Sequence, residues 1–69
     1  MVHVNKLRGK MAEKGRTGID MARVIKKTPK TFYEKMKKGV FDSDEITAMV
    51  EDLDIDNPME IFFAEEVTQ

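Results

Sequence analysis

Helix-start signals recur along this chain at intervals of one short helix, and they leave no room for a long element. Thr17 with Asp20 three residues on, Thr28 followed by Pro29, Asp42 with Glu45 three residues on, and Asn57 followed by Pro58 each pair a capping residue with its usual companion. The capping oxygen accepts an N–H that the first turn leaves unpaired, and an acid three positions later can return the bond. Proline at the first helical position loses nothing, because its missing N–H would have had no partner there. Between these signals the apolar residues follow helical spacing. Val4, Leu7 and Met11 predict a first helix ending near Gly15, and Met21, Ala22 and Ile25 predict a second of about two turns. Phe32 and Met36 predict a third from Pro29 to about Lys38, stopped by Gly39. Ile46, Met49, Val50 and Leu53 mark a fourth, and Ile61, Phe62 and Phe63 a short fifth after the Asn57 cap. No stretch alternates as a strand does. The expectation is an all-α fold, a compact bundle of five short helices forming one domain over residues 1–69, with its core at about 4–63 and a polar tail at 64–69.

A chain of 69 residues builds one small core, and with no cysteine it has no disulfide to reinforce it. The absence of thiolates, with His3 near the terminus as the single histidine, leads us to expect no metal and no cofactor. Asp52, Asp54 and Asp56 begin like a calcium loop. The match fails at the sixth position, Asn57 where glycine is needed, and at the twelfth, Phe63 where a bidentate Glu is needed. No Gly-rich phosphate cradle and no acid partner for His3 are visible, so an enzyme is not expected, nor a small-molecule ligand. The longest apolar run, Ile61 to Ala64, is far short of the roughly 20 residues that span a bilayer. A cytoplasmic protein without membrane contact is the expectation. Met11, Met21, Met36, Met49 and Met59 stand at or near core spacing and are expected to fill gaps in the interior.

Charge carries more information than its sum. The formal net charge is -1, yet all twelve Lys and Arg residues lie at or before Lys38. Residues 1–38 carry +9 and residues 39–69 carry -10. Like charges on a surface are normally interspersed, so a separation this complete points to a cationic working face on a small body.

Helix two, a three-residue turn and helix three have the spacing of a helix-turn-helix, in which the second helix enters the major groove. Ala22 falls where the two helices come closest, and Met21, Ile25 and Phe32 fill the angle between them. With Thr17, Thr28, the run Thr31 to Met36, Phe41, Glu45-Ile46 and the ending Asn57 to Phe63, the chain resembles the lambda-repressor/Cro-like helix-turn-helix superfamily. The likeness is to its branch of small phage and prophage regulators, and it covers about Val4 to Phe63. Two positions depart from the family pattern. Gly18 stands where Gln often holds a phosphate, and Lys26 stands where Gly usually takes a left-handed turn, a conformation that costs a lysine about 1–2 kcal/mol.

The resemblance implies that helix three is the recognition helix. With Phe32 and Met36 inward, Lys30, Thr31, Tyr33, Glu34 and Lys37 are the expected base readers. Arg16, Thr17, Gly18, Lys26, Lys27, Thr28, Lys35 and Lys38 are expected to hold the sugar-phosphate backbone. Glu34 has two readings: acceptance of a cytosine N4 proton, or ion pairs with Lys30 and Lys38 four residues away on either side. The expected function is sequence-specific binding of a double-stranded DNA operator, with repression by occupancy. Ile61, Phe62 and Phe63 are more apolar bulk than one small core can take, so at least one of them is expected to be exposed or to meet another subunit; a homodimer interface there stands beside a core-only reading. The rival class is a protein-interaction module, such as an antitoxin or antirepressor, whose acidic half binds a basic partner. Lysines consolidated around helix three favour DNA, whereas acids forming one open face favour the adaptor.

Overall fold

The computed structural model describes residues 2–63, so the polar tail expected at 64–69 lies outside it. Among the described residues the protein is all-helical, with α1 at Val4–Glu13, α2 at Gly18–Val24, α3 at Pro29–Lys38, α4 at Ser43–Leu53 and α5 at Pro58–Phe62. The starts follow the capping signals. The Thr17 hydroxyl accepts the Asp20 N–H at 3.2 Å, and the Asp20 carboxylate accepts the Thr17 N–H at 2.9 Å. The Thr28 hydroxyl accepts the Thr31 N–H at 3.2 Å, and Glu45 accepts the Asp42 N–H at 2.9 Å. Asn57 departs from expectation. Its side chain makes no capping hydrogen bond, and Pro58 alone sets the start of α5.

The ends of α1 to α4 share one device. A residue in the left-handed region follows the last helical turn, and the N–H of the next residue reaches back to a carbonyl five positions earlier. The left-handed residues are Gly15, Lys26, Gly39 and Asp54, at φ values of 69°, 62°, 75° and 52°. The returning bonds are Arg16 to Met11 (2.8 Å), Lys27 to Ala22 (2.9 Å), Val40 to Lys35 (3.1 Å) and Ile55 to Val50 (3.1 Å). Each reversal is therefore tight, and short helices are folded sharply back onto one another.

The core is assembled from every helix. Leu7, Met21, Phe32, Met49, Leu53 and Phe62 are its largest fully buried side chains, with Ala22, Ile25, Met36, Phe41 and Ile61 around them. Phe32 packs on Phe41 with ring centroids 5.8 Å apart. α2 packs against both α3 and α4, while α1 packs against α5. Residues before α1 close the bundle: Val2 N–H donates to Gly39 O (3.0 Å) and His3 N–H to Ile61 O (2.6 Å). His3 also caps α1, its Nδ1 accepting the Lys6 N–H at 3.4 Å. Met59 was expected inside and is 62 % exposed, because the single short turn of α5 spends its inward face on Ile61 and Phe62. No described helix is long and apolar enough to cross a membrane.

Candidate nucleic-acid interface

α3 presents the face that its spacing predicts. Phe32 and Met36 are buried, while Lys30, Tyr33, Glu34, Lys37 and Lys38 are exposed. Thr31 is half-buried, its hydroxyl accepting a hydrogen bond from the Thr28 hydroxyl at 3.0 Å. Thr17 is occupied in the same way, bonded to Asp20 through both its hydroxyl and its N–H. Thr17 and Thr28 hold helix ends, and the Thr31 hydroxyl is tied to Thr28.

Gly18 and Tyr33 form an unexpected pair. Tyr33 leans from α3 across the first residue of α2, so that a Cβ added at Gly18 would overlap Oη and Cζ of the ring and come within 2.8 Å of Cε1. Gly18 is consequently buried rather than open to a phosphate, and only a glycine leaves room for the ring in this position. Tyr33 remains 50 % exposed. The missing side chain at position 18 is what seats the tyrosine.

The cations divide into two groups. Arg16 was expected on a phosphate. Instead its Nε and Nη2 grip the two oxygens of Asp52 at 2.8 and 3.1 Å, and Nη1 donates to Lys14 O at 3.3 Å. The hydrogen bond to Asp52, and then its charge, raise the guanidinium pKa further above its ordinary value. This bidentate pair fastens the α1–α2 turn to α4. Lys35 is likewise drawn inward, 3.1 Å from Glu45 and 3.7 Å from Asp42, and the hydrogen bond to Glu45 raises its pKa. Lys6 pairs with Glu60, Lys10 with Glu13, Lys14 with Asp54, and Lys27 lies 3.8 Å from Glu45.

Arg8, Arg23, Lys26, Lys30, Lys37 and Lys38 have no acidic partner within ion-pair distance among the described residues. All but Arg8 lie on α2, the turn or α3. Arg23 was not singled out from the sequence, although its place in the last turn of α2, beside Lys26, was readable there. Glu34 likewise makes no ion pair with Lys30 or Lys38, so the intrahelical pairing considered for it is not formed. Asp52 and Asp54, two of the acids that began like a calcium loop, are engaged by Arg16 and Lys14.

The expected dimer surface is corrected at two of its three residues. Ile61 and Phe62 are buried in the core, and only Phe63 is open, at 47 % exposure. Phe63 lines a groove of about 380 Å³ with Ile46, Val50, Pro58 and the edges of Thr47 and Glu51. Comparison with protein-family models, curated proteins and solved structures gave no match to this chain.

Proposed function

We propose that the protein is a sequence-specific double-stranded DNA-binding regulator that acts by occupying an operator, with α2, its turn and α3 working as a helix-turn-helix. The observation that carries this reading is the partition of the cations. Glu60, Asp54 and Asp52 engage Lys6, Lys14 and Arg16, and Glu45 engages Lys35 and Lys27, whereas Arg23, Lys26, Lys30, Lys37 and Lys38, on α2, the turn and α3, have no acidic partner among the described residues. Exposed cations concentrated on one helical unit are the electrostatic footprint that a phosphate backbone requires. Lys30, Tyr33, Glu34 and Lys37 stand outward on α3, where side chains of these types can read base edges.

The adaptor reading receives less support. Asp42, Glu45, Asp52, Asp54 and Glu60, half of the ten acids in residues 39–69, each serve as a counterion to a base from residues 1–38, which leaves fewer acids free for a basic partner. The DNA reading extends to a homodimer in which Phe63 and the groove it lines meet their equivalents in a second copy.

The test is a salt titration of binding to random duplex. Affinity is expected to fall steeply, with a log–log slope near -0.9 for each phosphate neutralised. A flat response, or no binding at low salt, overturns the reading.

A further inference from the structure

Glu45 is the only buried ionisable side chain among the described residues, at 3 % exposure. Its Oε1 accepts from the Asp42 N–H at 2.9 Å and lies 3.1 Å from the Lys35 ammonium. Its Oε2 is buried and accepts no hydrogen bond among the described residues. The Lys27 ammonium stands 3.8 Å from that oxygen, too far to donate. Buried carboxylate oxygens are normally satisfied, and one left open marks a stored cost. The two lysines differ in how firmly they are held. The Lys35 side chain is 24 % exposed and hydrogen-bonded, whereas that of Lys27 is 45 % exposed and held by charge alone. Lys27 also sits in the turn beside Lys26, at the entrance to α3.

We propose that Glu45 is a positioning residue for DNA binding: it keeps Lys35 as a permanent internal counterion and lends Lys27 to a phosphate only when α3 is fully docked. The inference rests on the reading of α3 as the recognition helix. Moving Lys27 to a phosphate leaves a buried carboxylate with one cation fewer. Loose, non-specific contacts do not compensate for that loss, whereas a complete set of base contacts does. The phosphate contact of Lys27 then becomes conditional on sequence, and the gap between operator and random DNA widens. Glu45 and Asp42 belong to the start of α4, so the restraint is exerted from outside the α2–α3 unit.

The experiment measures salt slopes for wild type, E45Q and Lys27→Met on random duplex and on a duplex selected from a random library. Glutamine keeps the shape of Glu45 and the acceptor for Asp42 N–H while removing the charge. E45Q is expected to steepen the random-duplex slope by about 0.9 to 1.8, one or two added phosphates, and to narrow the ratio of selected to random affinity. Lys27→Met is expected to lower the slope by about 0.9 on the selected duplex and to leave the random-duplex slope unchanged. A folded E45Q with the wild-type slope overturns the proposal, as does a Lys27→Met loss that is equal on both duplexes. If E45Q does not fold, the Lys27→Met comparison decides alone. Failure of the wild type to bind either duplex overturns the DNA reading itself, an outcome distinct from both.

Discussion

Lys26 answers two demands that favour different residues. Its backbone, at φ 62°, closes the turn between α2 and α3 in a conformation suited to glycine, while its exposed side chain adds a cation beside α3 that has no acidic partner among the described residues. Lys26→Gly should raise stability by about 0.5–1 kcal/mol in urea denaturation, the relief of left-handed strain less the added freedom of the unfolded chain. The same variant should lose about 0.9 from the salt slope on random duplex. A variant that gains stability and keeps the full slope would remove Lys26 from the interface. Asp54 provides the internal comparison at φ 52°. Aspartate tolerates the left-handed region better than lysine, and Asp54 also pairs with Lys14 at 3.5 Å, so Asp54→Gly should gain less. The role of Lys26 as a turn residue was legible in its position between two capping signals. The role of Arg16 was not, because Asp52 is distant in sequence and only the packing of α4 brings it near.

α2 depends on its cap, since at 7 residues it is too short to persist by propensity, and unlike the shorter α5 it has a complete capping box. The hydrogen bond from the Thr17 backbone, and next that from its hydroxyl, hold the Asp20 carboxyl below its ordinary value of 3.8. A carboxyl with a depressed folded pKa contributes stability that is complete above the unfolded value and disappears as pH falls through the folded one. Stability should therefore decline as the pH drops below about 4. Asp20→Asn should flatten part of that acid limb while leaving the plateau above it lower, and melting temperature against pH for the two proteins checks this. An unchanged acid limb would show that Asp20 takes no part. α3 is anchored differently, through Phe32 packed on Phe41 and a left-handed Gly39 at its end. Its boundaries, face and start follow from Thr28-Pro29, the Phe32–Met36 spacing and Gly39, all local signals. α5 was less legible, since one turn gives too few residues for a periodicity to separate Ile61 and Phe62 from Phe63.

For the molecule as a whole, DNA binding and self-association should respond to salt in opposite directions. The proposed phosphate binding by the cations around α3 should weaken as salt rises. A symmetric contact between two α4–α5 faces brings acid against acid, because residues 39–69 contain no base, and salt screens that repulsion. Sedimentation should show a dimer that strengthens between low and moderate salt, and Phe63→Glu should abolish it without unfolding the monomer, since Phe63 is exposed. A monomer at high concentration under both salt conditions, and on a full operator, would remove the dimer. The charge segregation that prompts this prediction is a whole-chain property, visible before any element is placed.

The sequence by itself determined where helices begin and end, which side of α3 faces inward, and that the positive charge belongs to residues 1–38. These follow from interactions within a few residues: caps, left-handed reversals and apolar spacing. The tertiary structure decided which of those charges remain available. Arg16, Lys35 and, in part, Lys27 are turned toward Asp52 and Glu45 on α4, while Arg23, Lys26, Lys30, Lys37 and Lys38 have no such partner among the described residues. It also decided that Gly18 is covered by Tyr33 and that Ile61 and Phe62 are core. The physical reason is common to all of these. A side chain's partner across the fold is set by how helices pack, and chain order within one helix carries no record of what faces it from another.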